Sequence, residues 1–121
     1  MSPTILAVDD SKTMRDMIQG CLAMSGFNVV TAENGQDGVD KLGECKPDVI
    51  ITDINMPVMD GYAFIEAVRG QSKLNRTPIL VLTTESSPEK KMRARDAGAT
   101  GWIVKPFQPD KLIEAINRVM P

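Results

Sequence analysis

The sequence predicts an α/β domain built on a five-stranded parallel β-sheet. Short apolar runs recur at residues 5–8, 28–31, 49–52, 79–83 and 102–104, and stretches with helical periodicity separate them. This alternation is typical of a parallel sheet whose faces are covered by helices. A chain of 121 residues is long enough to form a hydrophobic core, and we expect one domain without an attached output domain.

The first helix is expected at residues 13–24. Ser11 or Asp10 would cap its start and Gly26 would end it. Five apolar side chains have the spacing of one buried helix face. They are Met14, Met17, Ile18, Cys21 and Leu22. The run at 28–31 has only two firmly apolar residues, so we expect it at an edge of the sheet.

The second and third helices are expected at residues 36–44 and 61–70. The second depends on Val39 and Leu42, and the third is bounded by Gly61 and Gly70. The buried face of the third helix would hold Phe64, Ile65 and Val68.

The fourth helix begins at Ser87-Pro88-Glu89, which places a capping residue, a proline and an acid in the order that starts a helix. Its apolar stripe is thin and consists of Met92 and Ala97. The last helix begins at Pro109. Its apolar face would hold Leu112, Ile113, Ile116 and Val119.

Polar groups follow four of the predicted strands. They are Asp9 and Asp10, Asp53, Thr83 and Thr84, and Lys105. Each has an ordinary structural explanation, such as a helix cap, a turn or a solvated charge. In open α/β sheets, however, ligands bind at the carboxyl ends of the strands. If all of these structural explanations held, four strand ends would have to carry suitable groups by chance. We therefore expect the groups to form one site.

The chemistry of that site points to magnesium and phosphoryl transfer. Three nearby carboxylates repel each other, and a divalent cation removes the conflict. Hard oxygen donors favour Mg²⁺, which is often completed by a phosphate oxygen. A carboxylate beside Mg²⁺, a lysine and a hydroxyl is able to accept a phosphoryl group.

Composition excludes several other functions. The net charge of −2 and the pI near 5.1 do not indicate nucleic-acid binding. The absence of histidine excludes histidine metal sites, histidine bases and a phosphohistidine carrier. No apolar stretch is long enough to span a membrane and no secretory signal is visible, so we expect a cytoplasmic protein. We expect Cys21 and Cys45 to be free thiols.

Several motifs together resemble the receiver domain of bacterial two-component response regulators. The resemblance covers nearly the whole chain. It is carried by Asp9-Asp10, Asp53, Asn55-Met56-Pro57, Asp60-Gly61, Thr83 and the run from Gly98 to Phe107. It implies a flavodoxin-like three-layer sandwich of five βα units with strand order 2-1-3-4-5. Without an output domain, the chain is most similar to the single-domain chemotaxis regulators of that family.

The resemblance also implies a role for each site residue. Asp53 would be the phospho-acceptor. Asp10, Asp53 and the backbone carbonyl of Asn55 would bind Mg²⁺ directly, and Asp9 would bind it through a water molecule. Thr83 would close onto the phosphoryl group. Lys105 would pair with a phosphoryl oxygen, and the bond between Lys105 and Pro106 would be cis. Trp102 lies at the position of the switch aromatic, where the family more often has Tyr or Phe.

The partners implied by the resemblance are a sensor histidine kinase of the chemotaxis type, an output protein such as the flagellar motor switch, and a phosphatase. The protein would be a monomeric switch that catalyses only its own phosphorylation and dephosphorylation. An alternative within the family is a phosphate sink or a stand-alone receiver in a non-motility pathway.

Two other classes fit the sequence less well. A phosphatase of the haloacid-dehalogenase type has Asp-x-Asp after its first strand, whereas this chain has Asp9-Asp10-Ser11. A nucleotide- or flavin-binding module would need a glycine-rich phosphate loop, and neither GxGxxG nor GxxxxGK[ST] occurs.

Overall fold

The computed structural model describes residues 2–121 and shows five strands alternating with five helices. The strands are β1 (Thr4–Val8), β2 (Asn28–Ala32), β3 (Val49–Thr52), β4 (Ile79–Thr83) and β5 (Gly101–Val104). The helices are α1 (Lys12–Met24), α2 (Gly35–Cys45), α3 (Gly61–Arg69), α4 (Pro88–Ala97) and α5 (Pro109–Val119). All neighbouring strands pair in parallel, in the order β2-β1-β3-β4-β5. The predicted fold and the edge position of β2 are confirmed.

Alternate residues of the central strands enter two separate hydrophobic cores. Leu6, Ile50 and Val81 pack with α2, α3 and α4 on one face. On the other face, Ile5 and Leu80 pack with α1 and α5. Every residue of β3 and β4 is buried, which explains why these strands appear in the sequence as continuous apolar runs.

Two methionines that the helical periodicity placed on buried faces are exposed. The Met17 residue in α1 is 53% exposed, whereas Ile18 and Leu22 are fully buried. At about 100° per residue, Met17 lies about 120° from the direction midway between those two side chains. The prediction for Met92 in α4 was also wrong, because Met92 is 64% exposed and Ala94 is the buried side chain.

The helix starts agree with the capping signals. Ser11 Oγ accepts a hydrogen bond from Met14 N at 3.2 Å, and Ser87 Oγ accepts one from Lys90 N at 3.2 Å. Cys21 and Cys45 are free. None of the helices in residues 2–121 is both long and apolar enough to cross a bilayer.

The strand register brings the ends of β1 and β3 side by side. Val8 is the partner of Thr52, and Asp53 N donates a hydrogen bond to the carbonyl of Val8 at 3.0 Å. Asp9 and Asp53 are therefore the first residues beyond two neighbouring strands. The strand order also reverses here, because β1 lies between β2 and β3.

Two helical glycines are expected to respond oppositely to substitution by alanine. A Cβ on Gly61 would meet the backbone carbonyl of Asp53 and lie 2.7 Å from Ile54 Cα, so G61A should lower the free energy of unfolding by about 1–3 kcal/mol. Gly43 is exposed in α2 with no atom near the position of a Cβ, so G43A should raise the free energy of unfolding by about 0.5–1 kcal/mol. Urea unfolding of both variants checks this, and equal shifts would contradict the predicted crowding at Gly61.

Candidate functional site

Three carboxylates meet at the carboxyl ends of β1 and β3. Asp9, Asp10 and Asp53 each offer an oxygen atom, and these oxygens lie within 4.8 Å of one another. Asp9 and Asp53 are buried, whereas Asp10 is exposed. The structure therefore brings together the three acids that the sequence placed at this edge.

The Lys105 ammonium lies between two of these carboxylates. Its Nζ atom is 2.7 Å from Asp9 Oδ2 and 2.8 Å from Asp53 Oδ2. Lys105 directly follows β5, at the far edge of the sheet, and its side chain is only 10% exposed. Backbone pairing fixes its place, because Lys105 N donates to the carbonyl of Thr83 at 2.8 Å. The Lys105–Pro106 bond is cis, as the resemblance implied.

The second oxygen of each buried carboxylate is held by the backbone. Asp9 Oδ1 accepts a hydrogen bond from Ser11 N at 2.9 Å, and Asp53 Oδ1 accepts one from Ile54 N at 2.6 Å. Both carboxylates are thus oriented by a main-chain donor and by Lys105. This arrangement fixes the direction in which each carboxylate presents its remaining lone pairs.

Burial and ion pairing shift the pKa of Asp9, and likewise that of Lys105, in opposite directions. Burial raises the pKa of Asp9, and the hydrogen bonds from Lys105 and Ser11 only partly compensate. Burial alone would lower the pKa of Lys105, but its hydrogen bonds to Asp53 and Asp9 outweigh that effect, and the pKa is raised. Lys105 is therefore positively charged at neutral pH, as its position between two carboxylates requires.

The donor set fits a divalent metal ion. Three carboxylates and one ammonium give a formal charge of −3 plus 1, or −2, within a few ångströms. All the available donors are hard oxygens, the ligands that Mg²⁺ prefers. Asp9, Asp10 and Asp53 are the residues that would hold the ion.

Other predicted site residues lie in β4, in β5 and in the loop after β3. Thr83 is buried at the end of β4, and its hydroxyl accepts a hydrogen bond from Glu85 N at 3.4 Å. The side chain of Asn55 donates to Glu85 Oε1 at 3.0 Å. Trp102 is half-buried, and its Nε1 donates to the carbonyl of Glu85 at 3.0 Å. Glu85 thus connects the loop after β3 with β4 and β5.

Two contacts at the site were not predicted from the sequence. Arg15, in the first turns of α1, donates from Nη1 to the carbonyl of Asp9 at 2.7 Å. Lys90 forms an ion pair with Glu85 at 2.8 Å. The i, i+4 rule identifies charged pairs within one helix. It misses both contacts, because each joins a helix residue to a residue of the preceding loop.

Comparison with known proteins identifies the family. The sequence model of the family "response regulator receiver domain" matches residues 5–117, so the chain belongs to this family. The chain is CheY-like within it. The structure of the chemotaxis protein CheY4 of Vibrio cholerae superposes with a TM-score of 0.96 at 48% identity, covering 99% of this chain and 100% of that one.

Two other similar proteins are a receiver domain with bound magnesium and a sensor histidine kinase. The receiver domain of sensor histidine kinase PA1611 of Pseudomonas aeruginosa PAO1 has a magnesium ion in its active-site cleft. It is 27% identical with a TM-score of 0.90, covering 98% of this chain and 97% of that one. The sensor histidine kinase CheAY of Helicobacter pylori is 37% identical over 116 residues. The match covers 94% of this chain but only 14% of the kinase.

Mg²⁺ should stabilise the fold through the acidic cluster. At a hundred times the dissociation constant, we expect the free energy of unfolding to rise by about 2.7 kcal/mol. The D10N variant should lose most of this gain, because it removes a charged oxygen donor. The D40N variant, at an exposed position in α2, should keep it. Urea unfolding with MgCl₂ and with EDTA measures the gain, and a gain retained in D10N would argue against this metal site.

The raised pKa of Asp9 predicts a specific pH dependence without metal. The folded state holds the Asp9 proton more tightly than the unfolded state, so the contribution of Asp9 to wild-type stability should fall as pH rises from 3.8 through the higher folded-state pKa. The D9N variant does not ionise at this position and should lack that decrease. Its stability relative to wild type should therefore increase across this window and level off above it. Unfolding in EDTA from pH 3.5 to 7 tests this, and a constant difference would contradict it.

Proposed function

We propose that this receiver domain accepts a phosphoryl group on Asp53 from the phosphohistidine of a sensor histidine kinase and thereby switches its affinity for a partner protein. The observation that carries this proposal is the position of the Asp53 carboxylate. It lies at the end of a buried strand, 2.8 Å from the Lys105 ammonium and next to two further carboxylates.

The residues of the site support nucleophilic attack by Asp53. An Asp53 oxygen would form the new bond to phosphorus while the bond to the kinase imidazole nitrogen breaks. The leaving nitrogen keeps the bonding electron pair and takes up a proton. The hydrogen bond from Ile54 N holds the carboxylate in place, and Lys105 is close enough to donate to a phosphoryl oxygen once the group is transferred. Bound Mg²⁺ would neutralise charge on the carboxylates and on the phosphoryl oxygens.

The switch would pass through the loop after β4. Thr83 Oγ1, Glu85 and Trp102 Nε1 are connected by hydrogen bonds, so a movement of the Thr83 hydroxyl toward a phosphoryl group would disturb the loop and the indole together. Phosphorylation adds about one unit of negative charge and three acceptor oxygens to Asp53. This is the local change that would draw the hydroxyl inward.

The partner-binding face would include the groove between α4 and β5. The groove has a volume of about 510 Å³, and its lining includes Trp102, the exposed Met92 and the cations Lys91 and Arg95. Apolar lining residues together with two cations against one acid, Asp96, favour an amphipathic, acidic partner segment. Trp102 belongs both to this groove and to the Glu85 connection, so it would link phosphorylation to partner binding.

We further propose that the pathway is chemotaxis, with a chemotaxis-type kinase as the donor and the flagellar motor switch as the output. The similarity to CheY4 over both full chains supports this assignment. The receiver portion of CheAY supports it as well.

A pair of variants at the two ends of β3 tests the acceptor. We expect wild-type protein to take up labelled phosphate from acetyl phosphate when Mg²⁺ is present, and D53N to take up none, because it lacks the nucleophilic carboxylate. D48N changes an exposed acid at the opposite end of the same strand and should be phosphorylated like wild type. Intact-mass measurement detects the added group. Uptake by D53N would refute Asp53 as the acceptor.

A further inference from the structure

We propose that Lys90 is a positioning residue for phosphorylation, because it holds and neutralises the Glu85 carboxylate that borders the acceptor loop. The inference rests on the proposed function of Asp53. Lys90 Nζ lies 2.8 Å from Glu85 Oε2, while Asn55 Nδ2 lies 3.0 Å from Glu85 Oε1. Both carboxylate oxygens of Glu85 thus have a donor.

Glu85 is attached to the acceptor loop through Asn55, which is only two residues from Asp53. The site already carries three carboxylates against one ammonium. A small phosphoryl donor is itself an anion, so each further unpaired negative charge at the mouth of the site opposes its approach. Pairing with Lys90 removes most of the contribution of Glu85 to that barrier.

The position of Lys90 is fixed by the start of α4. Ser87 Oγ caps the helix by accepting a hydrogen bond from the backbone N–H of Lys90 itself, at 3.2 Å. Glu85 is fixed at its own backbone by the contacts to Thr83 and Trp102. The hydrogen bonds from Lys90 and Asn55 also lower the pKa of Glu85.

The ion pair is partly exposed, which limits the expected effect. The side chains of Lys90 and Glu85 are 47% and 27% exposed. Exposed pairs contribute little to stability and are screened by salt. We therefore expect K90M to fold normally and to change the phosphorylation rate by a few-fold rather than by orders of magnitude.

Lys111 supplies a control of the same residue type. It is exposed in α5, and its substitution by methionine removes the same charge. Within residues 2–121, Glu85 forms its ion pair with Lys90 and not with Lys111. If the general positive charge of the protein attracted the donor, K90M and K111M would have equal effects.

The experiment measures the initial rate at which acetyl phosphate and Mg²⁺ phosphorylate Asp53 at low ionic strength. We expect K90M to be about two- to five-fold slower than wild type, the scale of a partly exposed ion pair. K90R should retain the wild-type rate, and K111M should be close to it. Adding salt should narrow the difference between K90M and wild type.

A second pair of variants separates masking of Glu85 from a direct attraction between Lys90 and the donor. E85Q removes the charge that Lys90 masks, so E85Q and the double variant E85Q/K90M should have the same rate. The inference is overturned if K90M slows the reaction equally in both backgrounds, or if K111M slows it as much as K90M. Absence of phosphate uptake by the wild-type protein would instead overturn the proposed function itself.

Discussion

The pairing of one buried ammonium with two buried carboxylates is the interaction on which the site depends. Lys105 satisfies Asp9 and Asp53 at 2.7 and 2.8 Å, but it leaves an excess of negative charge because Asp10 is also present. Removing either partner of a buried pair leaves an uncompensated charge, so these residues constrain each other. The remaining negative charge is also what makes the site suitable for a divalent cation.

The sequence was sufficient to predict the sheet and the positions of its polar ends, because both follow from simple periodicities. Continuous apolar runs identified β3 and β4, and a parallel sheet must bring Asp53 and Asp9 to the same edge. Side-chain partners were not predictable in the same way. The exposure of Met17 depends on the orientation of α1 against the sheet. Periodicity predicts which side of a helix is buried, but not where the edges of the buried face lie. The pairing of Glu85 with Lys90 depends on the path of a loop.

Helix α4 is attached to the rest of the fold mainly by polar contacts. Its only fully buried side chain is the small Ala94. At its end, the Arg69 guanidinium donates from Nε and Nη2 to the carbonyl of Gly98 at 3.0 and 2.8 Å. In its middle, Arg93 lies 3.9 Å from the centre of the Tyr62 ring. Burial of apolar side chains therefore contributes little to the attachment of α4 to the rest of the fold.

The strand order has a consequence for how the sheet is assembled as the chain is synthesised. β2 adds to one side of β1, and β3 adds to the other side. β4 then pairs with β3, and β5 pairs with β4. Each new strand therefore meets an edge that is already formed, and no later strand has to be inserted between two strands that have already paired. Asp53 emerges with the third strand, whereas the Lys105 ammonium that pairs with it follows β5. The electrostatics of the site are therefore complete only after the last strand has been added.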